Sequence, residues 1–407
     1  MRRWGFALFI LAFAYRAFLL QYVPDEFILK NPTESAAIAR SLVETGRYAD
    51  GYVLPTGPTS HGLPVYTGLL ALIYLIFGET MLAGYVRCLV AITASSAVIG
   101  MMPWLAVRLG LGLRAGILAG IAAVFVHLQG MLELLGWLAE GPLAAIALGL
   151  LLVGCVKRWE APHPSAGGAL LMGIGFGASF HVMPALLTVL FGCLAFEVFR
   201  RRRSAWRPVV FTLLGAALAC APWTAHNIAV FHDFFFMRAN FGLELRLGNH
   251  DGAAADWETM DETHARSDYR HPGANVEEAR LAAELGEAEY MRRAGAEAIE
   301  WIRAHPAEFL RLSGWRAIHY WLGPLRPTVL SAGFIILTIL AAVGLIRVLP
   351  VLSVSRRAAI LIPLAAFPLV YYLVPYMPRY REPIDWMLFL LAAAALSPAR
   401  PAGSSAE

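Results

Sequence analysis

Residues 329–346 read VLSAGFIILTILAAVGLI. A helix advances 1.5 Å per residue, so about 20 apolar residues cross the roughly 30 Å of hydrocarbon in a bilayer, and this run reads as one crossing. Comparable runs lie at Trp4–Tyr22, Leu82–Val107, Gly112–Gly130, Gly141–Val156, Pro208–Asn227, Ala358–Tyr376 and Pro383–Leu396. The apolar stretch Gly167–Phe199 is too long for one ordinary span and carries His181 and Pro184 in its middle, so it divides into two short helices. The whole chain has 407 residues, 58% hydrophobic against 15% charged, which is too apolar for a soluble domain that must cover its core with polar surface. The expected fold is therefore all-α: a polytopic transmembrane helix bundle of about ten spans.

The loop charges give the bundle a direction. Arg2/Arg3, Arg108/Arg114, Lys157/Arg158, Arg200–Arg203 and Arg347/Arg356/Arg357 fall on one side, which the positive-inside rule makes cytoplasmic. Counting the apolar segment Leu63–Phe77 as a full crossing would invert every later loop, so it reads as an outer half-helix or a helix lying against the outer leaflet. The amino terminus has the charges of a signal peptide but a longer apolar stretch and no small-residue cleavage site, so it reads as a retained first membrane helix, with Arg16 facing protein or the headgroups.

This division gives residues 1–227 as an amino-terminal membrane module whose first outer loop spans 24–62, 228–327 as a mainly helical periplasmic segment, 328–398 as carboxy-terminal membrane helices, and 399–407 as a disordered tail. The periodicity and alternating charge of Val276–Trp321 predict two or three solvated helices, with Pro306 opening one of them.

Composition also excludes partners. A net charge of +4, scattered in short clusters, offers no face that could follow a nucleic-acid backbone. Cys88, Cys155, Cys193 and Cys220 lie in apolar runs without zinc-like spacing and read as packing residues.

Chemistry-bearing residues gather in the outer loops. The first loop holds Asp25, Glu26 and Glu34; carboxylates beside a membrane can take a proton from a hydroxyl or bind a divalent ion. Glu34 reads equally well as part of a helix start, with Asn31 as cap and Pro32 as first helical residue, and Asp25 and Glu26 read also as solvated loop charges. In TGPTSHGLP (56–64), His61 is either a metal or phosphate contact or a polar loop residue. Glu140 stands at the outer start of a span, where a helix N-terminus favours a carboxylate, and Glu133 shares its short loop. The last outer loop, PYMPRYREPIDW, sets Arg379 and Arg381 on either side of Tyr380. Paired guanidinium forks on the outer surface match a lipid phosphate; ion pairs with Glu382 or Asp385 are the structural alternative.

With these residues the chain resembles the bacterial GT-C glycosyltransferases, the superfamily of protein O-mannosyltransferases and the lipid A aminoarabinose transferase. The likeness rests on the acidic loop with Glu34-xxx-Ile38-Ala39-x-Ser41-Leu42-xxx-Gly46-x-Tyr48, then Gly57-Pro58-Thr59, Pro64-Val65-Tyr66 and Phe77-Gly78, then Pro222-Trp223-xxx-Asn227 and Gly248-Asn249, and finally Arg379-Tyr380-Arg381-x-Pro383. In that superfamily the acidic pair leads directly into the juxtamembrane helix, whereas here Glu34 stands at the helix start and Asp25-Glu26 precede it; His226 stands where an arginine is common.

The resemblance implies transfer of a sugar from a polyprenyl-phosphate donor to an acceptor hydroxyl of an envelope glycan, lipid or protein, with inversion, at the periplasmic face of a bacterial inner membrane. Glu34 or Asp25 is then the expected base, Glu140 completes the acidic side, and Arg379, Arg381 and Tyr380 hold the donor phosphate. Glu26 and His61 are expected substrate or metal contacts. No obligatory metal is expected, although a divalent ion is possible. The rival from another class is a transporter or flippase of lipid-linked glycans, which should carry charges at mid-membrane depth and repeat its helices in two halves.

Overall fold

The computed structural model describes residues 1–126, 134–137, 139–263, 270–326 and 328–396; Glu133 and the tail at 399–407 lie outside them. In chain order the helices are α1 (Arg2–Leu20), α2 (Asp25–Leu29), α3 (Glu34–Thr45), α4 (Pro64–Phe77), α5 (Met81–Leu109), α6 (Leu113–Phe125), α7 (Glu140–Glu160), α8 (Ala166–Phe180), α9 (Leu186–Arg201), α10 (Trp206–Phe231), α11 (Phe241–Gly248), α12 (Trp257–Thr263), α13 (Val276–Leu285), α14 (Glu287–Ala304), α15 (Pro306–Leu322), α16 (Val329–Val348), α17 (Val354–Ala366) and α18 (Glu382–Leu396). Among the described residues there is no strand, only two isolated bridges.

Each apolar run carries a helix among the described residues, and the protein is a multi-pass membrane protein. Six stretches are long and apolar enough to cross by length and composition: α1, α5, α7, the run α9–α10, α16 with its 3-10 extension, and α17 with the 3-10 turns after it. The expected division of 167–199 is present, because α8 ends at Phe180 and α9 begins at Leu186. A second reversal follows at Arg202, whose φ of 50° lies in the left-handed region and separates α9 from α10.

Apolar character on all sides places α18 at the centre of the bundle: Pro383 through Ala395 are all buried, against α16, α6 and α7. Small residues let these helices approach. A Cβ at Gly344 of α16 would overlap the Leu391 carbonyl, and one at Gly173 of α8 the Thr212 carbonyl of α10. Gly344→Val should therefore destabilise the bundle by about 1–3 kcal/mol, the usual cost of overpacking. The readout is a lower unfolding temperature in detergent. Gly314→Ala on α15, where a Cβ meets open space, serves as control and should not lower it.

The basic loops meet at one end of the bundle. Arg158 binds Glu197 and Thr212, Arg201 donates to the Arg158 and Ala161 carbonyls at 2.9 Å, and Glu160 accepts from Ser353 at 3.1 Å. At the opposite end Arg87, buried in the first turns of α5, donates to the Ile28 carbonyl at 2.6 Å and the Leu135 carbonyl at 3.0 Å. One guanidinium thus pins α2 and the segment leading into α7. The short helix α4 starts with Pro64 at its first position, packs on α3 and α5, and ends at Phe77; Glu79 just beyond it pairs with Arg40 of α3 at 3.4 Å. Its 14 residues span about 21 Å. The helices α13 to α15 fill the segment in which two or three were expected, and Pro306 opens α15.

Candidate active site

The start of α3 decides the availability of Glu34. Thr33, not Asn31, is the cap: its hydroxyl accepts the Ala36 N–H at 3.4 Å, while Asn31 Oδ1 accepts the Thr33 N–H at 3.2 Å and its hydroxyl at 2.8 Å. Asn31 therefore acts one step upstream, and Glu34 is the first helical residue rather than the third. Relieved of any capping bond, it stays one-third exposed, with Oε1 4.0 Å from His271 Nε2.

His61 comes to the same place on the loop that follows α3. Asp50, at φ 59°, accepts the Thr56 N–H at 3.0 Å and the Gly57 N–H at 2.9 Å, folding 48–59 back on itself. The loop then runs under the cap, where Thr59 and Ser60 bond to Glu287, the buried first residue of α14. His61 is buried, its Nδ1 lies 3.2 Å from the Tyr52 hydroxyl, and its ring meets that of His271 edge-on at 5.6 Å. Burial, with Arg238, His271 and Arg379 nearby, holds its pKa well below the ordinary histidine value, so the ring is neutral. Gly273 allows the close approach of its segment to Glu34; a Cβ there would stand 3.0 Å from Glu34 Oε1 and 2.8 Å from His271 Nδ1.

Glu34, His61 and His271 bring one ligand atom each within 4.8 Å of one another, and two imidazoles with a carboxylate are donor types that take a divalent ion. Proton placement works against such an ion. His271 Nδ1 accepts the Gly273 N–H at 2.9 Å, so its own hydrogen sits on Nε2, the nitrogen facing Glu34. A metal at that nitrogen would have to displace the proton and break the Gly273 bond.

Opposite the acids stands a cationic side. Arg379 lies on the 3-10 turn Pro378–Arg381, its guanidinium carbon 5.5 Å from the centre of the Tyr380 ring, which stacks on Tyr371 at 4.5 Å. Burial disfavours its charge, but Tyr380, Glu140, Glu244 and Glu34 outweigh that and raise its pKa. Glu140, first residue of α7, feels Arg379, Arg238 and Glu34 in turn. The Nε atoms of Arg238 and Arg379 are buried without a hydrogen-bond partner.

Arg381 points elsewhere. Fully buried, it bonds Asp385 at 2.6 Å, the Trp321 carbonyl at 2.7 Å and Thr338 at 3.1 Å, with Phe334 under its face at 4.1 Å. It takes the ion-pair alternative and fastens the last loop to α15 and α16. Asp25 and Glu26 are exposed on α2. His226 is exposed and stacked on Trp223 at 5.0 Å. Arg238, Glu244, His271 and Glu287 escaped the sequence reading: each is a single polar residue far along the chain from the first loop, with no motif around it.

No protein-family model and no curated protein sequence matches the chain. Solved structures do. The oligosaccharyltransferase AglB of Archaeoglobus fulgidus, in complex with an inhibitory peptide and a dolichol-phosphate, is similar over 97% of this chain with a TM-score of 0.53 and 16% identity. Another AglB structure, tethered to an acceptor peptide, gives 0.55 at 14% identity. ArnT of Cupriavidus metallidurans bound to undecaprenyl phosphate gives 0.43 at 12% identity over 97% of this chain. The chain spans about half the length of AglB, 50% in the peptide complex. In fold, the chain is similar to the membrane oligosaccharyltransferase AglB.

Proposed function

We propose that this protein transfers a sugar from a polyprenyl-phosphate donor to an acceptor hydroxyl at the periplasmic face of a bacterial inner membrane. The observation that carries the reading is the meeting of Glu34, Glu140, Arg379 and Arg238, from four separate segments, in one neighbourhood at the end of the bundle opposite the basic loops. Binding of dolichol-phosphate by AglB, which has the same fold, supports a lipid-phosphate donor.

Glu34 takes the proton of the acceptor hydroxyl as its oxygen attacks the anomeric carbon. A new C–O bond forms on one face of the sugar while the bond to the phosphate oxygen breaks on the other, so configuration inverts. The bonding pair leaves with the lipid phosphate. Arg379 and Arg238, each with a buried Nε free to donate, stabilise that charge, and Tyr380 supports Arg379 through its ring. Glu140 balances the two arginines and orients the acceptor. Because base and electrophilic stabilisation both come from side chains, no metal is required. One AglB structure holds Zn and sulfate, so the ion has to be tested directly.

The test uses the full chain in lipid vesicles with a radiolabelled polyprenyl-phosphate sugar and an envelope-lipid extract as acceptor. Label should pass to the extract at an initial rate that EDTA leaves unchanged. Transfer that EDTA stops and magnesium, manganese or zinc restores would overturn the metal-free reading. Label crossing the bilayer still attached to its lipid would favour the flippase.

A further inference from the structure

Glu287 touches no expected substrate position, yet it receives more hydrogen bonds than any residue that does. Its carboxylate accepts the Ser60 N–H at 2.6 Å, the Ser60 hydroxyl at 3.0 Å and the Thr59 hydroxyl, and Tyr52 bonds it as well. The direction of these bonds is fixed from outside. The Ala239 N–H donates to Ser60 Oγ at 3.2 Å, and the His61 N–H donates to Thr59 Oγ1 at 3.1 Å. Each hydroxyl already accepts a backbone hydrogen and so turns its own towards Glu287. Burial pushes the pKa of this carboxylate up, and the donors around it offset part of that rise.

The same polarity reaches Tyr52. Its single hydrogen goes to the Glu287 carboxylate, so its oxygen is left to accept, and the group 3.2 Å away is His61 Nδ1. We propose that Glu287 is the positioning residue of the candidate site: it directs a hydrogen-bond network that places the His61 proton on Nδ1 and leaves Nε2 as a bare acceptor. His271, whose Nδ1 accepts from Gly273, takes the opposite tautomer and presents Nε2–H to Glu34. One histidine thus accepts and the other donates, which orients an entering hydroxyl and steadies the carboxylate that deprotonates it. Ser60 extends the arrangement to Ala239, so a single carboxylate on the cap holds both the His61 loop and the residue next to Arg238.

This inference rests on the proposed transfer only for its consequence, since the tautomers can be read without turnover. The experiment is nitrogen-15 NMR of histidine-labelled full chain in nanodiscs, with His61→Ala used to assign one signal among the 11 histidines. Wild-type His61 should be neutral with Nδ1 protonated. Tyr52→Phe, which keeps the ring and the carboxylate, should move it towards the Nε2–H form. Glu287→Gln should do the same, while Glu287→Asp should restore part of the wild-type signal. In the transfer assay Tyr52→Phe should lower kcat about ten- to a hundredfold, with donor KM changed less than about twofold. An Nε2–H His61 in wild type, or a spectrum unmoved by Tyr52→Phe, would overturn the proposal. Correct tautomers with no sugar transfer would instead discard the reaction and leave the network standing.

Discussion

Glu34→Gln should lower kcat for sugar transfer by about 10²–10⁴-fold, the usual contribution of a positioned general base. Glutamine keeps the shape of the side chain and its place 4.0 Å from His271 Nε2. The cap is untouched, because Thr33 and Asn31 form it without the Glu34 carboxylate. Loss of activity therefore reports the missing proton acceptor rather than a melted helix. Donor KM should stay within about threefold, since the phosphate is held on the opposite side of the site. Asp25→Asn and Glu26→Gln serve as comparison: both residues are exposed on α2, and each variant should retain wild-type kcat. If Glu34→Gln turns over at more than about a third of the wild-type rate, or if Asp25→Asn is the damaging change, the base has been placed on the wrong residue. Initial rates at saturating donor, with folding checked by gel filtration in detergent, separate these outcomes.

Bilayer physics makes the bundle legible in the sequence. Apolar length fixes where helices lie, and the bias of arginine and lysine fixes which ends meet; Arg158, Arg201 and Arg356 do lie at one end with Glu160 and Glu197. The break at His181 and the opening of α15 at Pro306 follow from the same local rules. The site was legible only in part, because its members are brought together by long-range packing that leaves no local pattern. Glu34, His61, Glu140 and Arg379 stand between apolar runs or at their ends and could be listed. Arg238 and His271 lie in the long segment between α10 and α16, and nothing in FFFMRAN or YRHPGAN marks them as partners of the first loop. Arg379 and Arg381 show a different limit. They are equivalent in the sequence, but a 3-10 turn advances about 120° per residue, so positions two apart face different ways. One meets the acids, and the other is buried against Asp385 and Phe334.

That divergence yields the second large effect. Arg379→Ala should reduce kcat/KM for the polyprenyl-phosphate donor by about 10²–10³-fold, the cost of removing one donor from a site where negative charge develops. Arg379→Lys keeps the charge but loses the planar fork, so it should recover only part of the loss. Arg379 also hydrogen-bonds Tyr380, so thermal unfolding of both variants is measured beside activity to separate lost catalysis from lost stability. Arg381→Ala also loses activity, but by another route. It leaves Asp385 without the guanidinium that bonds it at 2.6 Å, and breaking a buried pair costs about 3–5 kcal/mol. The double variant Arg381→Met with Asp385→Leu removes both charges at once. It should regain much of the stability and, with it, sugar transfer near the wild-type rate, whereas no second change on α18 should rescue Arg379→Ala. Donor saturation curves beside thermal unfolding in the same detergent distinguish the two arginines. A well-folded double variant that still binds donor a hundredfold more weakly would return Arg381 to the phosphate site and remove the division of labour argued above.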